Sequence, residues 1–352
     1  MTDSRTCPKA VVILGAGWSF AAGLPLAKDL ISLPLSVSSQ KALYRSEQVL
    51  TAFERWSTEH PDSHTEVFLR ECYRGAVSVP WLWVAEFIQA KLGNPHPADR
   101  RGQVDLRYGQ RITTRTYCAE HIKFWLNLLS DFQLHAVVTT NYDILVERSL
   151  RTRPMKRPSL PGFHYAGLGQ VVAKGQAQPW TVREPEREVT PSGRVPLIKL
   201  HGSLNWSLAR QLNPQSRPLP FDNQYDNDRL EIFQDLRAAF RHGGTAAIVP
   251  PLPEKEAPRW AHRVWETAAH RLAEAPFWIV VGYSLPAYDI ALRQLFSRAA
   301  ATGRVREIRL HDPYSATISN EWASVTKVGS IVELPGLERC GLFVMKRGAM
   351  WC

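Results

Sequence analysis

Short apolar runs separated by helix-like stripes recur along the whole chain. Runs of four or five largely apolar residues are typical of strands that are buried on both faces of a parallel sheet. Between them, apolar residues repeat at intervals of three and four positions, which is typical of helices with one buried face. The predicted strands cover residues 11–14, 135–138, 197–200, 246–249, 277–281 and 306–310, and the helical patterns fall within 40–92, 122–129, 142–150, 259–273 and 292–299.

This alternation of strands and helices predicts one fold class. Strands that alternate with helices form a parallel sheet, so we expect an α/β protein with a doubly wound, Rossmann-like parallel sheet. The 352 residues are interpreted as a single domain, with a helical insertion over about 33–116 and irregular excursions over about 151–196 and 207–244. Connections of this length in a compact domain usually carry structure or function of their own. We therefore expect a small hairpin, or a lid over the site.

Five of the predicted strands end at a residue that could serve a binding site. In doubly wound sheets, ligands bind beyond the carboxyl ends of the strands. The five residues are therefore expected to lie along one edge of the sheet. They are Gly15, Asn141, His201, Gly282 and Asp312.

The first strand runs into Gly15-Ala16-Gly17, a turn with little room for side chains. Glycines in such a turn let the backbone approach a phosphate, which the following amides can hold. In the usual dinucleotide-binding pattern a third glycine follows three residues later, with an acidic residue about 20 positions further on. Here the third glycine, Gly23, comes six residues after Gly17. For this stretch alone, a plain strand-to-helix turn that leads into a two-part helix over 19–32 is an equal interpretation.

Four segments in a fixed order carry a resemblance to a known family. The first is the turn that runs from Gly15 through Ser19 to Gly23. The others read Thr-Thr-Asn-Tyr-Asp at 139–143, Lys-Leu-His-Gly-Ser at 199–203 and Val-Gly-Tyr-Ser-Leu at 281–285. Together they resemble the sirtuins, and most of all the sirtuin-like NAD-cleaving proteins of bacterial antiphage defence.

The resemblance implies a role for each matched residue. His201 would be the general base, since a neutral imidazole can accept a proton near physiological pH. Asn141 would hold the nicotinamide ribose and a water molecule, and Asp143 would line the same end of the site. Ser19 and Ser284 would bond phosphate or ribose, and Asp312 would accept from the adenosine ribose. The residues expected to bind NAD are Gly15, Ala16, Gly17, Ser19, Gly23, Thr140, Gly282, Ser284 and Asp312.

Most of these residues also have a purely structural interpretation. An isolated histidine such as His201 more often bonds a backbone carbonyl in the core. Asn is a preferred helix N-cap, and a helix is expected to begin beside Asn141. Asp143, in the first turn of that helix, would complement the helix dipole. The serines would be turn or cap residues, and Asp289 is interpreted as a surface residue.

The resemblance implies that NAD is the substrate. The expected reaction is hydrolysis of the nicotinamide–ribose bond to nicotinamide and ADP-ribose, which would deplete NAD in antiphage defence. The expected partners are NAD and either further copies of the chain, as a homo-oligomer, or a defence-system protein that switches the activity on. Two alternatives stay open: a sensor that binds NAD or ADP-ribose without turnover, and an NAD-dependent protein deacylase.

The five cysteines are scattered along the chain and none has Cys-x-x-Cys spacing. Neither a disulfide framework nor a structural zinc site is therefore expected. Sirtuin deacetylases typically carry a small zinc module after the catalytic histidine, whereas residues 205–245 contain no cysteine. We expect no metal, which makes the deacylase the less favoured alternative.

The chain has a net charge of +10, from 43 Lys and Arg against 33 Asp and Glu, and part of the excess gathers within 100–115 and 148–157. No nucleic-acid-binding motif accompanies this charge, so we interpret it as solvated surface. Nucleic acid is expected only through a partner or this basic surface. No apolar run approaches the roughly 20 residues of a membrane span, and the N-terminus lacks a signal-peptide pattern. A cytoplasmic protein without membrane contact is expected.

Overall fold

The structure is a computed structural model, which describes part of the chain. The described residues are 7–20, 24–32, 40–93, 103–105, 110–112, 114–151, 160–168, 170–172, 180–183, 193–208, 230–233, 245–253 and 256–334. Among the candidate residues, Gly23 lies outside them.

The helices and strands alternate along the described residues. The helices are α1 (Ala16–Phe20), α2 (Gln40–Glu59), α3 (Thr65–Arg74), α4 (Trp81–Gly93), α5 (Thr114–Asp131), α6 (Leu145–Arg151), α7 (Arg259–Glu274), α8 (Ile290–Ala300) and α9 (Ser315–Thr326). The strands are β1 (Lys9–Leu14), β2 (Gln103–Asp105), β3 (Gln110–Ile112), β4 (Gln133–Thr139), β5 (Phe163–Tyr165), β6 (Gln170–Val172), β7 (Trp180–Arg183), β8 (Val195–Lys199), β9 (Gly202–Leu208), β10 (Leu230–Ile232), β11 (Thr245–Ile248), β12 (Phe277–Val281), β13 (Glu307–His311) and β14 (Ile331–Leu334).

A seven-stranded sheet forms the centre of the fold, in the order β14-β13-β12-β1-β4-β8-β5. Every neighbouring pair in it is parallel. Five consecutive residues of β1, Ala10 to Leu14, are at most 1% exposed. Because successive strand residues point to opposite faces, the sheet must be covered on both faces at β1. The predicted α/β fold with a doubly wound, Rossmann-like parallel sheet is confirmed.

The order of the strands places a switch point beside β1. The chain passes from β1 to β4 on one side, and later adds β12 on the other side. At such a reversal the connections leave the sheet in opposite directions, which opens a crevice beyond the carboxyl ends of the strands. The turn at Gly15 and the segment at Gly282 both lie at this position.

A second sheet is antiparallel, with the order β11-β9-β10-β7-β6. The sequence pattern predicts β11 as a strand of the same kind as β1, but it pairs antiparallel with β9, Ile248 opposite Gly202. The reason is that β9, which follows directly on β8, leaves the parallel sheet. Because β11 pairs with β9, it also lies in the second sheet. The excursion over 151–196 supplies the antiparallel pair β6–β7 to this sheet and the edge strand β5 to the parallel sheet.

Helices α2, α3 and α4 have an apolar cluster of their own, which includes Trp56, Phe68, Trp81 and Ile88. Ile248 of β11 belongs to the same cluster, so these helices pack against the second sheet. Of the two-part helix expected over 19–32, the described residues contain the end of the five-residue α1 and one 3-10 turn, Ala27–Asp29, whereas residues 21–23 lie outside them. Among the described residues, no helix is both long and apolar enough to span a bilayer.

Candidate functional site

The turn after β1 packs backbone to backbone against the residue that follows β12. The amide of Gly15 donates to the carbonyl of Val281 at 3.0 Å, and that of Gly17 donates to the carbonyl of Gly282 at 2.9 Å. A Cβ added to Gly17 would lie 2.6 Å from Cα of Gly282. A Cβ added to Gly15 would lie 2.5 Å from the carbonyl oxygen of Gly282. Both glycines are therefore required by the close approach of the two strand ends.

This packing also occupies amides that were expected to hold a diphosphate. Besides those of Gly15 and Gly17, the amide of Trp18 donates within the protein, to the carbonyl of Gly15 at 3.1 Å. In this conformation the glycines are accounted for by a strand-to-helix turn. A diphosphate on these three amides would require the turn to move away from Gly282.

Asn141, Ser19 and Asp143 form a buried, hydrogen-bonded group between the ends of β1 and β4. The side-chain nitrogen of Asn141 donates to the carbonyl of Gly15 at 2.8 Å and to the Ser19 hydroxyl at 2.9 Å. Ser19 in turn donates to Oδ2 of Asp143 at 2.6 Å. Since the Ser19 proton is used by Asp143, this hydroxyl is not a free donor for phosphate in this conformation. The three side chains are at most 9% exposed.

The capping interpretation applies to Asp143 and not to Asn141. Helix α6 begins at Leu145, whose amide donates to Oδ1 of Asp143 at 2.8 Å. The backbone amide of Asn141 donates instead to the Thr139 hydroxyl at 3.1 Å. Asn141 therefore has no capping role at α6, and its side chain faces the turn after β1.

Thr139 contributes more to this edge than the predicted Thr140. The Thr139 hydroxyl donates to the carbonyl of Leu14 at 3.1 Å, in addition to accepting from Asn141. Thr140 contributes its backbone amide, which donates to the same carbonyl at 3.2 Å. Thr139 is the last residue of β4 and is 1% exposed, so the signal that could have found it is a threonine at the buried end of an apolar strand.

His201 lies on the neighbouring strand end and is 4% exposed. Thr139 of β4 pairs with Lys199 of β8, and Asn141 and His201 each follow two residues later. The ring of His201 lies 6.3 Å from that of Tyr142 and 6.0 Å from that of Trp265, between centroids. The structure thus brings Asn141 and His201 to adjacent positions on one edge, as the sequence predicts.

Among the described residues, neither ring nitrogen of His201 has a hydrogen-bond partner. The structural interpretation of His201 is a core histidine that bonds a backbone carbonyl. Among the described residues, His201 makes no such bond. Burial lowers the pKa of His201 to about 4, so the ring is neutral at physiological pH and both nitrogens are buried without compensation. The following residue, Gly202, has φ +80° and a Cβ there would lie 2.0 Å from the Ala247 carbonyl oxygen, which fixes the chain after His201 against β11.

Gly282, Ser284 and Asp312 lie on the other side of the β1 turn. Gly282 has φ +61° and donates its amide to the carbonyl of His311 at 3.2 Å. Ser284 is exposed. Asp312 is half-buried, accepts from the amide of Tyr314 at 2.8 Å, and has a pKa raised by burial. Within the described residues, no hydrogen bond joins Ser284 or Asp312 to the Asn141 group.

Asp289 belongs to a polar cluster on this side that the sequence interpretation misses. It is 3% exposed, so its interpretation as a surface residue is wrong. Its carboxylate accepts from the Tyr283 hydroxyl at 3.0 Å and from the amide of Leu292 at 3.2 Å, which caps α8. Burial raises the pKa of Asp289 to about 6. An aspartate just before a helix is a capping signal, but nothing local to Asp289 indicates the tyrosine.

Helix α3 completes this cluster. Burial, and then the charge of Asp289, raise the pKa of Glu66 to about 7, and the neighbouring Tyr288 hydroxyl opposes this rise. The ring of His64 stacks on that of Tyr288 with 4.5 Å between centroids. The contact between His64 and Tyr288 therefore joins the start of α3 to the segment after β12, beside two acidic groups with raised pKa values.

Within the described residues, no group of three or more His, Cys, Asp or Glu side chains is placed to hold a metal ion. Cys7 and Cys72 are free thiols.

Comparison with known proteins yields structures only. No family model and no curated protein matches the chain. Among solved structures, a Sir2 protein in complex with an inhibitor and 2'-O-acetyl-ADP-ribose matches at 13% identity, covering 96% of this chain and 91% of that one, with a TM-score of 0.36. A Sir2 complex with a p53 peptide and NAD+ matches at 14% identity, covering 96% and 92%, with a TM-score of 0.32. A sirtuin structure on substrate affinity matches at 14% identity, covering 98% and 96%, with a TM-score of 0.35.

Scores this low carry no argument about function. The seven parallel strands and their order identify the chain, by its own architecture, as a doubly wound, Rossmann-like α/β protein.

Proposed function

We propose that the protein is an NAD glycohydrolase that cleaves the nicotinamide–ribose bond of NAD to give nicotinamide and ADP-ribose. The observation that carries the proposal is His201, a buried histidine without a partner among the described residues, beside Asn141, whose side chain reaches the turn at the switch point of the sheet. A buried unsatisfied polar group destabilises a protein by about 1–3 kcal/mol. A residue kept at that cost favours a chemical role over a packing role.

The chemistry requires few groups. In NAD the nicotinamide nitrogen is positively charged, so it leaves as neutral nicotinamide with the electron pair of the broken bond. The ribose carbon becomes oxocarbenium-like, and a water oxygen bonds to it. The water gives up one proton, which the neutral His201 ring accepts as general base.

Asn141 would orient the ribose and the attacking water. Its side-chain nitrogen is committed to two oxygen acceptors, Gly15 and Ser19, which fixes the orientation of the amide. Its side-chain oxygen then faces away from these acceptors and can accept from a ribose hydroxyl or from the water. Asp143 orients Ser19, and its carboxylate adds negative charge near the forming cation.

The residues on the β12 side would hold the rest of NAD. Gly282 and Ser284 would lie along the diphosphate, and Asp312 would accept from the adenosine ribose. Of the turn after β1, Ala16 and Ser19 would border the same crevice with Gly15 and Gly17. Thr140 would line it from β4. We further propose that NAD depletion in antiphage defence is the biological role, with activity switched on by oligomer assembly or by a partner protein.

A sensor and a deacylase would use the same NAD crevice differently. A sensor has no use for an unpartnered base, so His201 favours turnover over sensing. A deacylase would need an acyl-lysine peptide to reach His201, and would release nicotinamide only when such a peptide is present.

The test is incubation of the purified protein with NAD over a range of protein concentrations, with products separated by chromatography. Release of nicotinamide and ADP-ribose by the parent, and its loss in His201→Ala, is the expected result. Nicotinamide release that requires an acetyl-lysine peptide would replace the proposal with the deacylase. NAD binding measured by calorimetry without any product at any concentration would replace it with the sensor.

A further inference from the structure

Lys199 is a charged residue buried inside the parallel sheet, with a relative exposure of 0%. Its ammonium group donates to Oε1 of Glu147 at 2.9 Å and to the backbone carbonyl of Asp143. Glu147 lies on α6 and is 3% exposed. A buried charge must be paired and hydrogen-bonded to be tolerated, and this ion pair connects β8 to the segment that carries Asn141.

The ion pair continues into a chain of buried hydrogen bonds. Oε1 of Glu147 also accepts from the Tyr165 hydroxyl at 2.9 Å. The Tyr165 hydroxyl accepts from the side-chain nitrogen of Asn205 at 2.9 Å, and the side-chain oxygen of Asn205 accepts from Ser203 at 2.6 Å. The chain of bonds therefore runs from α6 through β5 to β9.

The network spans both sides of His201. Lys199 precedes it by two residues, and Ser203 and Asn205 follow it by two and four. All three are at most 2% exposed. The Asp143 carbonyl, at the other end of the network, lies two residues after Asn141.

We propose that the Lys199–Glu147 ion pair is a positioning device, which holds the segment 141–143 at a set distance from His201. Neither residue touches NAD. The effect of the ion pair on catalysis rests on the proposed function. Its effect on structure, the ordering of the segment 141–143, does not.

Stability alone does not explain an ion pair at this place. Replacing a buried ion pair by apolar residues of similar volume is often neutral or stabilising. A lysine, however, offers directed hydrogen bonds to a carboxylate and a carbonyl at once, which an apolar side chain cannot. Misplacement of a catalytic group by about 1 Å can lower the rate about 100-fold, so a directed link between Asn141 and His201 has a clear use.

The test uses the double variant Lys199→Met/Glu147→Gln. Removing Lys199 alone would leave a buried carboxylate unpaired and endanger folding, whereas the double variant is neutral and keeps an acceptor for Tyr165. We expect it to fold, to bind NAD within about threefold of the parent, and to turn over NAD about 10–100-fold more slowly. Hydrogen exchange of a peptide that covers 139–146 should become faster, while exchange of 307–311 stays unchanged.

The same double change is then made in the Asn141→Ala variant. If the ion pair acts through the segment that carries Asn141, it should lower the residual turnover there by less than about threefold, because interacting residues are not additive. The matched control is Ser149→Ala, on the same helix. Ser149 is 0% exposed and accepts from the Trp125 ring nitrogen at 2.8 Å, so this variant should lose stability but keep parental kcat and parental exchange over 139–146.

A folded double variant with parental exchange over 139–146 would overturn the proposal whatever the activity, and so would rate losses that add fully to those of Asn141→Ala. If the parent itself cleaves no NAD, the proposed function fails, and the exchange measurement alone decides whether the ion pair orders the segment.

Discussion

The two sides of the turn after β1 are built in different ways. Toward β4 the turn is held by polar side chains: Asn141, Ser19 and Asp143 bond one another and the carbonyl of Gly15. Toward β12 it is held by the bare backbone of Gly17 against Gly282, with 2.6 Å between a Cβ at position 17 and Cα of Gly282. The first side can be altered one hydrogen bond at a time, whereas on the second side any side chain collides with backbone.

A second contrast lies within the polar side itself. Asn141 uses its side-chain nitrogen and its backbone amide in hydrogen bonds, so it contributes to stability. His201, on the adjacent strand end, has no partner for either ring nitrogen among the described residues. Replacing either residue is expected to lower turnover. The replacements should, however, change the free energy of unfolding in opposite directions.

The largest expected effect is on turnover. Asn141→Ala and His201→Ala should each lower kcat for NAD hydrolysis ~10²–10⁴-fold, because a positioned base and its water act chiefly in the transition state. NAD affinity should change little, since the β12 side is untouched. Because both residues serve one water and one ribose, the double variant should be scarcely slower than the slower single one. Single-turnover kinetics measure the rate of hydrolysis, and calorimetry measures the affinity for NAD. Parental kcat in His201→Ala would remove His201 from the mechanism.

On the β12 side the expected effect is loss of folding stability. Gly282→Ala should lower the free energy of unfolding by about 2–5 kcal/mol, because overpacking against Gly17 adds to the cost of a positive φ. Gly303→Ala is the matched control: Gly303 has φ +70° but open space around it, so it bears only the backbone cost. Urea unfolding measures both variants. Equal losses would mean that the contact with Gly17 contributes nothing.

Replacements of similar shape should distinguish Asn141 from His201 by their effect on the free energy of unfolding. Asn141→Leu should lower the free energy of unfolding by about 2–3 kcal/mol, because it leaves buried acceptors at Gly15 and Ser19 without their donor. His201→Phe should raise it by about 1 kcal/mol, because an unsatisfied polar ring is replaced by an apolar ring of similar shape. Both are measured by urea unfolding at neutral pH. A His201→Phe protein as destabilised as Asn141→Leu would show that His201 is stabilising after all.

The smallest effect concerns pH, and its sign differs between the two sides. The pKa of His201 is lowered from 6.5 to about 4, so between these values the unfolded chain binds the proton first and stability is lost as pH falls. The pKa of Glu66 is raised from 4.5 to about 7, so the folded protein keeps its proton longer and stability is lost as pH rises through that window.

Variants that cannot titrate should therefore change the slope of the stability profile in opposite directions over the range that the two windows share, pH 4.5 to 6.5. His201→Phe should reduce the loss between pH 6.5 and 4, and Glu66→Gln the loss between pH 4.5 and 7, because neither replacement binds a proton in these windows. Urea unfolding at intervals of pH provides the profile. If Glu66→Gln made stability rise less steeply with pH, as His201→Phe should, the assignment of a raised pKa to Glu66 would be wrong.

Much of this arrangement follows from local pattern. The apolar runs predicted β1, β4, β8 and β12, because a strand buried on both faces needs no polar positions and its pattern is complete within five residues. The rule that strand ends share an edge then placed Asn141 and His201 on one edge, and the pairing of β4 with β8 makes them neighbours. Their roles in catalysis stay predictions, as does the division of the chain into one domain with an insertion.

The tertiary structure alone decided which groups meet. Nothing near Gly17 indicates that its neighbour is Gly282, 265 residues away. Lys199, inside an apolar run, is a local sign that a charged partner is needed, but only the packing of α6 on β8 identifies Glu147. Asp289 carries a capping signal, yet its burial depends on Tyr283 and α3.

The strand pattern of β11 was correct and its sheet was not, because periodicity determines that a segment is extended and leaves its pairing partner open. The hydrophobic pattern of a strand or helix extends over a few residues, and it can be recognised in this sequence. Hydrogen-bond partners and close backbone contacts depend on the order of strands in the sheets, which only the folded chain determines.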